Sequence, residues 1–211
     1  MSINILTKSI IIITLFFFLG CGAGDEKKNT TLFEDVENGL SPNWHTVSGN
    51  QSPRAIEANN GSTYCVELPV TWSQNENDGY WNNPNEYRLT LNSKIAQGLS
   101  LDIGGTGKAV PHYVVGVKLN TDFGERTLLW NSWYNHHNLE ANYKNDAGMV
   151  TMVFPSPVEM VRGFGFEETD VWSHFDVDLT SYLHQFEPKN EIRGVYEFIA
   201  TGGILDNISL Y

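Results

Sequence analysis

Trp172 to Leu179 reads WSHFDVDL, and this stretch decides the fold class. Side chains along a strand point alternately to the two faces of a sheet. Here one set is apolar, and the other is polar with a single ring: Phe175, Val177 and Leu179 against Trp172, His174, Asp176 and Asp178. The alternation predicts a strand with one buried face and one face in water.

Similar short apolar runs recur along the chain, separated by turn residues at intervals of roughly eight to twelve residues. About eleven strands are predicted, at 32–36, 64–70, 87–91, 99–103, 113–119, 127–134, 149–154, 163–167, 172–179, 192–200 and 204–210. One short helix is predicted from Thr180 to Phe186, with Thr180 as its N-cap and Pro188 after its end. This spacing is typical of an all-β sandwich or barrel.

Composition and charge narrow the class of protein further. The chain has 211 residues, and its 25 acidic residues against 13 basic ones give a net charge of −12. No basic run is present, which argues against nucleic acid as a partner because phosphates require clustered Lys and Arg. An acidic surface attracts hard cations such as calcium.

The first residues have the pattern of an export segment. Met1 to Cys21 reads MSINILTKSIIIITLFFFLGC, with a basic Lys8 before an apolar run from Ile10 to Leu19. That run is too short to span a bilayer comfortably, since a spanning helix needs about 20 apolar residues. The segment is therefore interpreted as a signal peptide, and residues 22–31 as a polar tether.

The end of this segment, Phe18-Leu19-Gly20-Cys21, resembles the lipobox of bacterial lipoproteins. The resemblance implies that Cys21 is lipidated and becomes the mature N-terminus. Phe18 departs from the usual Leu of the family. Gly22 follows the cysteine where inner-membrane lipoproteins carry Asp, which implies the outer membrane of a Gram-negative cell. Lipid chains would hold residues 32–211 at a membrane face.

The two ends of the domain carry a second resemblance. The start reads LFEDVENGLSPNW and the finish reads GGILDNISLY. Both are similar to the ends of galactose-binding-like jelly-roll domains, which include many carbohydrate-binding modules. The resemblance implies a jelly-roll β-sandwich in which the ends meet, with Glu34 and Asp206 as ligands of a structural calcium ion. Calcium takes six to eight oxygen ligands, so loop carbonyls would complete the site.

Two aromatic stretches indicate a sugar-binding surface. One contains Trp72, Tyr80 and Trp81 among polar residues, and the other is TLLWNSWYNHHN, from Thr127 to Asn138. Sugar binding needs flat rings for the C–H faces and planar polar side chains for the hydroxyls. The predicted ligand-binding residues are Trp81, Tyr80, Trp133, Tyr134, His136, Arg88 and His174.

Strand alternation divides TLLWNSWYNHHN between two faces. Trp130 is assigned to the core and Trp133 to the exposed face. His136 and His137 are adjacent and point opposite ways on an extended chain, so the pair does not chelate one metal ion. The spacing of the remaining histidines gives no zinc motif.

The sequence favours carbohydrate binding without catalysis. Two alternatives stay open: a polysaccharide lyase or glycoside hydrolase acting in the same groove, and a structural or adhesion lipoprotein whose rings contact another protein. The candidate lyase residues are Arg88, Arg126, His112, Tyr134 and His136, and a glycosidase needs paired carboxylates. Cys65 lies in a strand-like run without a partner for a disulfide, so it is predicted to be a small buried residue.

Overall fold

A computed structural model describes residues 30–58, 62–69, 73–74, 81–82, 85–95, 97–104, 113–132, 139–158 and 172–211, with backbone alone at 73–74 and 81–82. The strands in chain order are β1 (Thr31–Glu34), β2 (Trp44–Ser48), β3 (Arg54–Glu57), β4 (Tyr64–Leu68), β5 (Ser73–Gln74), β6 (Trp81–Asn82), β7 (Glu86–Ser93), β8 (Gly98–Gly104), β9 (Val114–Thr121), β10 (Gly124–Asn131), β11 (Asn142–Asp146), β12 (Met149–Pro155), β13 (Trp172–Asp178), β14 (Ile192–Ala200) and β15 (Gly203–Leu210). One helix, α1 (Leu179–His184), follows β13.

The strands form two large sheets that enclose a shared core. Sheet I has the order β13-β8-β15-β4-β3, and β1 also pairs with β15. Sheet II has the order β11-β12-β10-β9-β14-β7-β2, while β5 and β6 pair separately. The chain crosses repeatedly between the sheets, as from β7 to β8 and from β14 to β15, and most neighbours are antiparallel. The domain is therefore a jelly-roll β-sandwich, which confirms the predicted fold class.

Trp130 lies at the centre of the core and joins its layers. Its ring centroid in sheet II is 5.5 Å from that of Phe175 in sheet I and 5.2 Å from that of Tyr182 in α1. Phe154, on the neighbouring strand β12, stacks at 6.2 Å. Trp130 is fully buried, so the prediction that this tryptophan belongs to the core is confirmed. Cys65 is likewise buried and free, as expected.

Several local predictions were wrong. Strands β2, which begins at Trp44, and β3 were not predicted from the sequence. Strand β11 was missed because all five of its residues are exposed, which removes the alternation of apolar and polar residues. The N-cap of α1 is Asp178 rather than Thr180, since its carboxylate accepts a hydrogen bond from the Ser181 backbone N–H. The strand predicted at 163–167 lies outside the described residues.

Among the residues that the structure describes, no helix is long and apolar enough to cross a membrane.

A buried ion pair ties β10 to the segment after α1. The Arg126 Nε lies 2.8 Å from Glu187 Oε2, and both side chains are about one-tenth exposed. Burial alone would raise the pKa of Glu187, but hydrogen bonds from Arg126 and Asn190, together with the Arg126 charge, outweigh burial and lower it. Because the pKa is lower in the folded state, this pair stabilises the fold above the ordinary pKa of 4.5.

We expect Glu187→Gln to lower the free energy of unfolding by about 3 kcal/mol at neutral pH, because Arg126 would then be buried beside an uncharged partner. The difference from wild type should shrink as pH falls below 4.5, where the wild-type carboxylate also loses its charge. Urea unfolding across this pH range measures it. Glu191→Gln, at an exposed neighbouring carboxylate, is the matched control, and an equal loss in both variants would contradict the assignment.

Candidate functional site

Arg88 and His174 are the predicted binding residues whose side chains the structure describes, and they lie on opposite faces of the sandwich. Arg88 is on β7 of sheet II, where its neighbours Tyr87 and Leu89 point into the core. His174 is on β13 of sheet I, next to the buried Phe175. Each therefore points outward from a different sheet. Both were predicted as ligand-binding residues, and the structure shows that their side chains do not share a surface.

The guanidinium of Arg88 is already engaged by carboxylates. Its Nε and Nη2 lie 2.7 and 2.6 Å from Glu86 Oε1, and its Nη1 lies 3.1 Å from Glu197 Oε2. Lys118 adds a second cation 3.5 Å from the same Glu197 oxygen. A ligand at Arg88 would have to compete with these contacts, so they favour a role in holding β7, β14 and β9 together.

His174 belongs to a hydrogen-bonded group on sheet I. Its Nδ1 lies 2.8 Å from Asp102 Oδ1, and its Nε2 lies 3.3 Å from Ser100 Oγ. Asn207 donates from Nδ2 to the other oxygen of Asp102, at 2.8 Å. The His174 side chain is 62% exposed. Three strands thus hold this imidazole in position while one side of it faces solvent.

The pairing register explains how these residues meet. His174 lies opposite Asp102 in the antiparallel pair of β13 and β8. On the other side of β8, Asp206 lies opposite Asp102 and Ser209 lies opposite Ser100, so β15 has one extra residue between them. This is a β-bulge. Asn207 occupies it with a φ of 52°, a conformation that Asn tolerates better than most residues.

Two aromatic rings lie on glycines at the two ends of β8. A Cβ at Gly104 would be 2.9 Å from atoms of the Trp172 indole, and a Cβ at Gly98 would overlap the ring of Tyr211. Any larger residue would displace the rings. Tyr211 donates its hydroxyl to Asp176. Burial, and then this hydrogen bond to a carboxylate, raise the pKa of Tyr211, so it keeps its proton.

These side chains form a continuous strip, here called the polar track. Its members are Trp172, His174, Asp102, Ser100, Asn207, Asp176 and Tyr211. Gly98 and Gly104 are six residues apart on β8, so the rings stand about 20 Å apart at the usual rise of a strand. Trp172 and Tyr211 are partly exposed, and polar groups lie between them. This spacing suits an extended molecule rather than a single small ring.

Part of this strip was predicted from the sequence, and the rest was not. His174, Asp176 and Trp172 were assigned to a wet face, but Ser100 and Asn207 were not singled out. The available signal was the alternation of polar Ser100 and Asp102 with Leu99, Leu101 and Ile103 along one strand. The contribution of Tyr211 depends on which residue its ring covers, and a sequence does not state that.

Ser100, His174 and Asp102 are connected in the hydrogen-bond order of a nucleophile, a base and an orienting carboxylate. Asp176, however, lies directly opposite Ser100 across the strand pair. Its carboxylate would oppose the negative charge that develops on an acyl oxygen, whereas catalysis needs donors there. The arrangement therefore favours hydrogen bonding to a ligand over acyl transfer.

Glu34 is a buried hydrogen-bond acceptor. Its Oε1 accepts from the Val36 backbone N–H at 3.1 Å, and its Oε2 accepts from the Ser41 N–H at 3.0 Å and from the indole N–H of Trp44 at 2.6 Å. Burial is the main cause of its raised pKa, and the charge of Asp35 adds to it. N–H donors surround this carboxylate where a calcium ion would need further oxygens.

Asp206 faces a different environment. The ends of the domain do meet, because β1 pairs with β15, but Glu34 lies opposite Ile208. The charge of Asp206 instead influences the thiol of Cys65. Burial, together with the charges of Asp206 and Glu67, raises the pKa of Cys65 to about 11. Within the described ranges, no cluster of three or more His, Cys, Asp or Glu is placed to hold a metal. The arrangement does not fit a calcium ion shared by Glu34 and Asp206. Calcium binding stays a prediction, which melting temperatures with and without millimolar calcium would test.

The remaining predicted residues are not described. Tyr80, Trp133, Tyr134 and His136 lie outside the described residues, and only the backbone of Trp81 is described, in β6. The described strands near these stretches end at the same end of the sandwich. In sheet I, Leu68 and Gly104 lie beside the start of β15. In sheet II, Glu86 and Asn131 lie at the corresponding end. Both aromatic stretches are thus connected to the same end of the sandwich, and their role in binding stays a prediction.

Comparison with known proteins gives structural likeness alone. No protein-family model matches the sequence, and no curated protein matches it. A family 11 carbohydrate-binding module from Clostridium thermocellum, solved with a β-1,3-1,4-mixed-linked tetrasaccharide, aligns with 15% identity over 86% of this chain and 94% of its own, at a TM-score of 0.47. A second family 11 module, from a cellulosomal cellulase of the same organism, has 14% identity, coverage of 86% and 93%, and a TM-score of 0.45.

A cleaved adhesin domain of Lys-gingipain from Porphyromonas gingivalis aligns with 14% identity over 86% of this chain and 96% of its own, at a TM-score of 0.42. At such identities and scores, the likeness carries no argument about what this chain binds.

The placement of Trp172 on Gly104 can be tested by a double-mutant cycle. We expect Gly104→Ala to lower the free energy of unfolding by about 1–3 kcal/mol, because the new methyl group displaces the indole. In a Trp172→Ala background the same change should cost much less, since the obstructing ring is absent. Urea unfolding of the four proteins measures the coupling. Equal costs in both backgrounds would show that the ring does not lie on this glycine.

Proposed function

We propose that this domain binds carbohydrate through the polar track on the outer face of sheet I. The observation that carries the proposal is the pair of partly exposed rings, Trp172 and Tyr211, at the two ends of a strip of polar side chains about 20 Å long. Ring faces attract the C–H groups of a pyranose. His174, Asn207 and the carboxylates between them are suited to sugar hydroxyls.

The positioned imidazole supports the same function. Asp102 and Ser100 hold His174 through both ring nitrogens, and Asn207 fixes Asp102 from the other side. A side chain that is already oriented loses little conformational freedom when a ligand binds. A preorganised group with one side in solvent is therefore a suitable hydrogen-bonding partner for a polysaccharide hydroxyl.

Binding is proposed to be non-catalytic. The polar track has carboxylates beside Ser100 and His174. Of the candidate lyase arginines, Arg88 lies on the other sheet in contact with Glu86 and Glu197, and Arg126 is paired with Glu187. Incubation with uronate polymers, followed by the absorbance of new double bonds, tests the lyase alternative directly. Product formation would replace the binding proposal with an enzymatic one.

We expect Trp172→Ala and Tyr211→Ala each to weaken binding to a hexasaccharide by about fivefold, the equivalent of about 1 kcal/mol for one ring contact. Monosaccharides should bind far more weakly than hexasaccharides, because one unit reaches only one ring. A glycan array with the full chain in detergent, followed by calorimetry, measures both effects. Phe123→Ala, at an exposed ring in the turn between β9 and β10, is the control. Unchanged affinities in the track variants would exclude this surface as the site.

We further propose that lipid on Cys21 anchors the domain to the outer membrane. The proposal is supported by the apolar run and the lipobox-like Leu19-Gly20-Cys21 of the sequence. A diacylated cysteine, as the resemblance implies, would supply two acyl chains, which are enough to retain the domain stably at a membrane. The polar segment 22–31 would then separate the domain from the bilayer.

Cys21→Ser should abolish incorporation of radiolabelled palmitate and move the protein from the membrane fraction to the soluble fraction. Cell fractionation and metabolic labelling measure these outcomes. Cys65→Ser, which changes the buried cysteine, is the control for loss of a thiol. Labelling that persists in Cys21→Ser would show that the anchor is elsewhere.

A further inference from the structure

The polar track has an unequal distribution of charge. Three carboxylates lie on the outward face of β13 and its neighbour β8: the track members Asp102 and Asp176, and Asp178 at the end of β13. The cation on these two strands is His174, which is held at Asp102. Farther across the same face, Arg54 is paired with Glu67. The surface that a ligand would cover is therefore acidic, whether or not the imidazole carries a proton.

We infer that the track selects uncharged linear glycans and rejects polymers of uronic acids or sulfated sugars. This inference rests on the proposed carbohydrate binding and adds the class of ligand. A uronate chain carries a carboxylate on every unit, so a chain extended between Trp172 and Tyr211 would place several charges against Asp102 and Asp176. Two like charges about 5 Å apart in water weaken binding by about fourfold for each pair.

Hydrogen bonding favours the same ligand class. Asp176 accepts from the Tyr211 hydroxyl, and both oxygens of Asp102 accept from His174 and Asn207. These carboxylates remain acceptors, and a sugar hydroxyl supplies a donor, whereas an ionised carboxylate supplies only acceptors. Two acceptors facing each other leave polar groups without partners once water is displaced. Neutral hydroxyls are thus complementary to the track.

The basic residues of the other sheet do not change this conclusion. Arg88 and Lys118 lie on the outer face of sheet II, and Glu197 is the shared partner of both. The sandwich core separates them from the track by more than the usual screening length, which is about 8–10 Å at physiological salt. Their charges would not offset the repulsion between a uronate chain and Asp176.

Chemically matched pairs of oligosaccharides test the inference. β-1,4-linked hexasaccharides of glucose, mannose and galactose are compared with the same chains after oxidation of their C6 alcohols to carboxylates, by calorimetry on the full chain in detergent. We expect at least a tenfold loss of affinity on oxidation, reduced when added salt screens the charges. Equal or tighter binding of the oxidised chain would overturn the selectivity while leaving carbohydrate binding intact. Failure of every neutral and oxidised chain to bind would instead refute the proposed function.

Asp176→Asn gives a second, independent measurement. Removing this charge should lower the ratio of the affinity for the neutral chain to the affinity for the oxidised chain by about fourfold. Asparagine can still accept the hydrogen bond from the Tyr211 hydroxyl. Asp146→Asn removes the same charge from the exposed β11 of sheet II and is the matched control, with the ratio unchanged. An unchanged ratio in Asp176→Asn, or an equal change in both variants, would contradict selection by the track.

Discussion

The last strand, β15, holds sheet I together. It pairs with β8 along one edge, and along its other edge with β4 and then β1. Without it, β13 and β8 would be separated from β4 and β3. The bulge after Asp206 increases the local twist of this strand and gives Asn207 an orientation that a regular strand would not allow. The same pairing that completes the sandwich therefore also places the amide that orients Asp102.

Sheet I can carry a binding surface because its two faces have separate roles. Leu99, Leu101 and Ile103 bury one side of β8 in the core, and this fixes the register of its neighbours. The residues that alternate with them along β8 point outward, so their identity can vary without cost to the core. Glycines at the ends of β8 let Trp172 and Tyr211 approach the backbone, so each ring packs on one side and keeps part of its surface in water.

Strand alternation was a reliable guide wherever one face is buried. It placed Phe175 and Val177 in the core and His174 outside, and it placed Trp130 in the core while its neighbours Leu129 and Asn131 are half-buried. It failed for β3 and β11, because edge strands with both faces in water have no hydrophobic period to detect. The helix N-cap was predicted two residues too late, at Thr180 instead of Asp178, since Asp and Thr are both common N-cap residues.

The sequence by itself determined the all-β class, the apolar face of most strands and the acidic balance of the surface, because these follow from residue type and from the period of two along a strand. Only the tertiary structure decided which outward side chains share a surface. Arg88 and His174 both alternate outward, yet they belong to different sheets. Tyr211 and Trp172 are distant in sequence, yet their rings pack against glycines of the same strand, β8. Strand partners are chosen by long-range packing and pairing, which a local pattern does not encode.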